Sequence, residues 1–150
     1  MELILWRHAE AEDGMPDDAR PLTEKGEKQA GKMAAFLRVH LPHDTRILVS
    51  PAKRTQQTAH ALTKHYLTEQ NVAPGASPET IIKAAGWPDG EGSVLIVGHQ
   101  PALGGVAALL MTDHPGYWSI KKGAVWWLSR RTHEGDYQTS LRLVITPDHL

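Results

Sequence analysis

A chain of 150 residues can bury about two-thirds of the surface its unfolded form exposes without help from a metal or a disulfide, so one domain over 1–150 is expected. Its 16 basic and 17 acidic residues leave a net charge of -1, which gives no overall field for nucleic acid or an anionic membrane, so any anion site must be local. The absence of cysteine removes disulfides, thiolate zinc sites and cysteine nucleophiles, the Cys-x5-Arg phosphatases among them.

The apolar run Leu3-Ile4-Leu5-Trp6 is too short for the core of a secretory signal, and a cytoplasmic protein is expected. With Ile47-Leu48-Val49 and Val94-Leu95-Ile96-Val97 it forms a set of short aliphatic segments whose apolar positions are consecutive. That is the pattern of strands covered on both faces, and so of a mostly parallel sheet. From Glu24 to His40 the residues Ala30, Met33, Ala34, Leu37 and Leu41 repeat at helical spacing behind Thr23 as N-cap. A second helix is expected directly after Ser50-Pro51, with the serine as cap, proline in the first turn, and Thr55, Thr58, Ala59, Leu62 and Tyr66 facing inward.

Residues 67–92 are rich in Pro, Gly, Ala and acidic groups and read as an excursion with one short strand or helical turn around Glu79 to Ala85. A third helix is expected from Pro101, with Leu103, Val106, Ala107 and Leu110 inward, although Gly104-Gly105 weakens its first turn. Val125 to Leu128 and Ser140 to Ile145 should pair antiparallel across Glu134-Gly135-Asp136, with Trp126 and Trp127 on opposite faces. Strands alternating with helices give an α/β sandwich. No segment approaches the roughly 18 uninterrupted apolar residues of a membrane span.

Each expected parallel strand is followed at once by groups suited to an anion: Arg7-His8, Ser50 through Arg54, and Gly98-His99. In an open α/β sheet the crevice lies beyond the carboxyl ends of the strands, so the three segments should meet at one mouth. Arg54 falls in a first helical turn, where free N–H groups and the helix dipole already favour a phosphate. Arg7 adds a second planar guanidinium. An imidazole between arginines is pushed toward its neutral, nucleophilic form, and His99 can donate a hydrogen bond to the charge that spreads over a transferring phosphoryl group. Singly these residues mean little, since an Arg-His pair is usually a solvated turn and Gly-His-x-Pro a strand-to-helix joint. Their joint placement after buried strands carries the reading.

Four ordered motifs also resemble the histidine phosphatase superfamily, in its short phosphohistidine phosphatase (SixA-type) branch. They are Leu5-Trp6-Arg7-His8-Ala9-Glu10, Arg20-Pro21-Leu22-Thr23-Glu24-Lys25-Gly26, Ser50-Pro51-Ala52-Lys53-Arg54-Thr55-Gln56-Gln57-Thr58-Ala59, and Val97-Gly98-His99-Gln100-Pro101. The resemblance implies a three-layer α/β/α sandwich like that of phosphoglycerate mutase, mostly parallel with an antiparallel edge. It further implies that His8 is phosphorylated, that Arg7, Arg54 and His99 complete the phosphate pocket, that Arg20 lies at its rim, and that neither metal nor other cofactor takes part. Ala9 stands where the family most often has glycine.

Larger members carry a carboxylate general acid between the second and third conserved motifs. Here the interval offers Glu69, Glu79, Asp89 and Glu91, each more simply read as solvated surface; Glu79 is the foremost candidate for the general acid. His8-Ala9-Glu10 is reminiscent of zinc deaminases, but the cysteines they need do not exist here. His40, His43, His60, His65, His114, His133 and His149 lack metal-ligand spacing and are expected at the surface. No Walker loop or Gly-x-Gly-x-x-Gly is present. The expected substrate is a phosphohistidine-bearing protein, such as a phosphotransfer domain or phosphocarrier. A small-molecule phosphomonoesterase and a noncatalytic phosphate-reading module are the alternatives.

Overall fold

The computed structural model describes residues 1–150, apart from the side chain of His133. The expected surface placement of that histidine therefore lies outside the described residues. The elements in chain order are β1 (Glu2–Arg7), α1 (Glu24–His40), β2 (Arg46–Val49), α2 (Lys53–His60), β3 (Leu67–Thr68), α3 (Pro78–Ala85), β4 (Ser93–Gly98), α4 (Ala102–Thr112), β5 (Val125–His133) and β6 (Asp136–Ile145).

The strands make one six-stranded sheet in the order β3-β2-β4-β1-β5-β6. The first four run parallel, and β5 and β6 add an antiparallel edge. Alternate residues of each buried strand point to opposite faces. Leu3, Leu5, Val94 and Ile96 therefore pack with Ile81 of α3 and Leu103, Val106 and Ala107 of α4. On the other face Ile4, Trp6, Leu95 and Val97 meet Met33, Ala34 and Leu37 of α1 and Ala59 of α2. This is the three-layer sandwich expected, and Trp126 and Trp127 do lie on opposite faces.

α1 has the expected bounds, and the Thr23 hydroxyl accepts from the N–H of Gly26. α2 starts later than the Ser50-Pro51 reading, with Ala52 at the cap position and no side-chain cap bond. The helix also stops at His60, so Leu62 and Tyr66 reach the core from the loop that follows. The excursion holds the two-residue β3 and a two-turn helix, α3, capped by Ser77 and ended by Gly86 at φ 78°. β5 and β6 extend well beyond their apolar cores, to a turn at Glu134-Gly135.

Gly104-Gly105 does not prevent α4 from starting at Ala102. The pair trades helix propensity for close approach. A Cβ on Gly104 would stand 1.8 Å from the Trp118 carbonyl oxygen, and one on Gly105 would stand 2.5 Å from Pro78 Cγ. Their roughly 1 kcal/mol cost per residue is thus offset by packing that no side chain allows. No helix among the described residues is long and apolar enough to cross a membrane.

Candidate active site

β1 and β4 are neighbours at the centre of the sheet, but the chain leaves β1 toward β2 on one side and β4 toward β5 on the other. Their carboxyl ends therefore mark the switch point where an open α/β sheet forms its crevice. The backbone extends the ladder to deliver the site residues there. His8 N–H donates to the Gly98 carbonyl and Ser50 N–H to the Val97 carbonyl, both at 3.1 Å.

The sequence-derived group does converge. Arg7, His8, Arg20, Arg54 and His99 line one cleft of about 240 Å³. His8 and His99 are 8% and 6% exposed, with ring centroids 5.3 Å apart. His8 Nδ1 lies 2.7 Å from the Ala9 carbonyl oxygen. A carbonyl only accepts, so Nδ1 carries the proton and Nε2 keeps its lone pair. Ala9 has negative φ, is fully buried beside Leu22 and Ala30, and its N–H donates to Thr58 Oγ1 at 3.1 Å. Alanine thus fits where the family prefers glycine.

Burial pushes the His8 pKa down to about 4, helped by the charges of Arg54, Arg7 and Arg20 and opposed by the hydrogen bond to Ala9. Burial, then His8 and Arg54, takes His99 down to about 3. Both rings are neutral at pH 7. Burial also lowers the pKa of Arg7, and an arginine side chain keeps its charge in a protein.

Ser50 shows why the expected cap is missing. Its hydroxyl sits 2.7 Å from His99 Nε2 and accepts from the N–H of Ala52 at 3.3 Å, so it orients an imidazole and shapes the turn into α2. Arg54 occupies the first turn of α2 and is held from outside the helix. Its Nη1 donates to the Asp17 carbonyl at 2.9 Å and its Nη2 to Asp17 Oδ2 at 3.1 Å. The other carboxylate oxygen accepts from Arg20 Nε at 3.0 Å. Desolvation raises the Asp17 pKa, but the hydrogen bonds and charges of Arg54 and Arg20 together outweigh it and hold the carboxyl below its usual range. Asp17 thereby locks the outer edge of the Arg54 fork. Arg7 is anchored likewise, Nη1 donating to the Ile120 carbonyl at 2.8 Å.

Three residues of the cleft each keep a buried nitrogen without a partner: Nε of Arg7, Nε of Arg54 and Nδ1 of His99. The two guanidinium N–H groups are donors, and His99 Nδ1 is one when the Ser50 hydroxyl donates to Nε2; a buried donor left unmatched costs about 1–3 kcal/mol, so an oxyanion that accepts from these groups is favoured.

The sequence reading did not anticipate Asp13, Asp17, Gln100 or Lys122 at this site. Asp13 and Lys122 sit in irregular segments and Asp17 opens a three-residue 3₁₀ turn, none of them with periodicity. Gln100 is fixed by Nε2 donating to the Trp118 carbonyl at 2.9 Å and Oε1 accepting from Gly104 N–H at 2.7 Å, a role visible only once α4 is formed. Glu79 lines the adjoining groove, not the cleft; the carboxylate on the cleft lining itself is Asp13. Glu69 caps a 3₁₀ turn by accepting from Asn71 N–H, and Asp89 and Glu91 are exposed. His40, His43, His60, His65, His114 and His149 are exposed, as expected.

The model of the histidine phosphatase superfamily (branch 1) matches residues 3–75. A phosphohistidine phosphatase SixA homolog of Haemophilus influenzae is 34% identical over 126 residues, covering 73% of this chain and 77% of its own. The phosphohistidine phosphatase SixA of Escherichia coli is 30% identical over 119 residues, covering 73% and 74%. Among solved structures, the protein histidine phosphatase SixA complexed with tungstate superposes with a TM-score of 0.80 over 99% of both chains at 23% identity, which bears out the phosphoglycerate-mutase-like fold. With that fold and those relatives, the chain belongs to the histidine phosphatase superfamily, in its SixA-type branch, and is a phosphatase.

Proposed function

We propose that the protein, acting as a single domain, hydrolyses phosphohistidine on partner proteins through a phosphorylated His8, without a metal. The observation that carries this reading is the His8 tautomer: Nδ1–H is committed to the Ala9 carbonyl, so Nε2 offers a lone pair into a cleft walled by Arg7 and Arg54. In the first step Nε2 attacks phosphorus and the bond from phosphorus to the substrate imidazole nitrogen breaks. The substrate ring, already protonated on its other nitrogen, takes the bonding pair and departs as neutral imidazole. In the second step water attacks the phospho-His8, Nε2 recovers its lone pair, and orthophosphate is released. Arg7, Arg54 and His99 hold the oxygens whose charge spreads in both transition states, and Arg20 steadies the rim through Asp17.

An imidazole, with a conjugate-acid pKa of about 6.5, departs far more easily than an alkoxide, which needs a positioned acid worth about 10²- to 10⁴-fold. The reading therefore favours phosphohistidine over alkyl phosphates, and serves signal transduction in the cytoplasm. Rapid quenching in mild base during turnover should trap an acid-labile, base-stable adduct on His8. An adduct on a hydroxyl, or none, would overturn the intermediate. Equal catalytic efficiency on an alkyl phosphate, abolished by Glu79→Gln or Asp13→Asn, would favour a small-molecule phosphomonoesterase. Failure to release phosphate from any substrate would leave a phosphate-reading module.

A further inference from the structure

The cleft shares its walls with two larger depressions. Gly75, His99 and Gln100 also border a groove of about 320 Å³ formed by the first turn of α3, the start of α4 and residues 115–117. Arg7 and Lys122 also border a depression of about 550 Å³ that runs to residues 146–149. The two depressions have no lining residue in common, so the cleft lies between them.

Their chemistry differs. The groove is walled by Ala76, Pro78, Leu109, Pro115 and Tyr117, and its charged group is Glu79. Tyr117 is 66% exposed. Gly105 forms part of the lining: its missing Cβ would stand 2.5 Å from Pro78 Cγ and 3.1 Å from Tyr117 Cε1, so the glycine lets both side chains settle against α4. The second depression carries Arg7, Lys121 and Lys122 against the single carboxylate of Asp148. Neither lysine enters an ion pair among the described residues.

We propose that the groove and the basic depression are the two halves of a docking surface for a folded, phosphohistidine-bearing protein. Apolar side chains on one flank of its phosphohistidine fill the groove, and carboxylates on the other flank meet Lys121 and Lys122. Continuity with the cleft and the contrast in charge carry the assignment, which rests on the phosphohistidine reading above. Burying an exposed tyrosine is a common source of interface affinity, and flanking lysines accelerate encounter with an acidic partner.

The test uses Tyr117→Ser and Lys121→Glu, neither of which lines the cleft. Catalytic efficiency is measured on phosphoramidate and on whichever histidine-phosphorylated phosphotransfer domain or phosphocarrier the unaltered protein turns over fastest. Each variant should raise KM on the protein substrate by roughly tenfold at little cost to kcat, with the double variant close to the product. Turnover of phosphoramidate should stay unchanged. Raising salt should slow the unaltered protein more than Lys121→Glu. Equal losses on both substrates, or no loss on either, would overturn the docking surface alone. Turnover of phosphoramidate with none of any phosphohistidine protein would sink the substrate reading and the docking surface with it. Sedimentation showing a dimer that Tyr117→Ser dissociates would give the groove to a second copy of the chain and overturn the proposal.

Discussion

Acidification separates a desolvated imidazole flanked by arginines from an ordinary one. Free imidazole side chains take up a proton near pH 6.5. In the fold His8 does so at about 4, because burial and then Arg54, Arg7 and Arg20 oppose the charged ring more than the Ala9 carbonyl supports it. At about 1.4 kcal/mol per tenfold change in proton affinity, the lowering is worth on the order of 3 kcal/mol. Between pH 6.5 and 4 the unfolded chain binds the proton and the folded chain does not, so acid favours unfolding. The stability contributed is complete above pH 6.5, falls as the pH drops toward 4, and levels off below. His99 adds a second contribution of the same sign whose window reaches down to about 3. At pH 5 each ring should have withdrawn about 2 kcal/mol. Imidazole nitrogen resonances followed by NMR, with His8 assigned through His8→Gln, should stay those of a neutral ring through pH 5. Urea unfolding at pH 7 and pH 5 should show the loss of stability, about halved in His8→Gln. A His8 midpoint near 6.5 would refute the desolvated, arginine-flanked ring.

Removing one preorganised donor typically costs about 2.7–4 kcal/mol of transition-state stabilisation, and Arg54→Ala should lower kcat by about 10²- to 10³-fold in steady-state assays. Asp17→Ala should cost roughly tenfold in kcat, the low end for a charge-assisted hydrogen bond because the carboxylate is half exposed, with Asp17→Asn closer to the unaltered protein. Gly26→Ala should destabilise the fold by about 1–3 kcal/mol or more in urea unfolding, since its Cβ would stand 2.0 Å from the Glu10 carbonyl oxygen behind His8-Ala9. Turnover should survive EDTA; loss restored by a divalent ion would overturn the metal-free reading.

The parts legible in the sequence share a physical cause. β1, β2 and β4 are buried on both faces, so their composition alone marks them, and the polar residues that follow inherit a position from the sheet. α1 carries a full stripe and a cap, and its ends were readable to the residue. Elsewhere one residue type served two uses. Ser50 before Pro51 has the chemistry of a cap, but its hydroxyl is drawn to His99, 49 positions away, by a contact no local pattern encodes. The clasp between Asp17 and Arg54 spans 37 positions and joins a short 3₁₀ turn to α2. The outer halves of β5 and β6 are mostly exposed and polar, so they lack the apolar signal that revealed their inner halves. In α3 the Ser77 cap and the Gly86 stop were both written in the sequence, yet the surrounding Pro and Gly obscured a two-turn helix.

The bonds that carry His8 and Ser50 continue the ladders at the middle of the sheet, whereas Asp17 and Arg20 ride a loop joined to the body by the Ala11–Leu22 bridge and the Glu12 to Pro21 hydrogen bond. Amide exchange should therefore divide the site in time. The strand ends should open only with the whole sheet, and the loop through far cheaper local openings. The backbone that carries the imidazole should then move only with the sheet, while the carboxylate between two guanidiniums rides the softer rim.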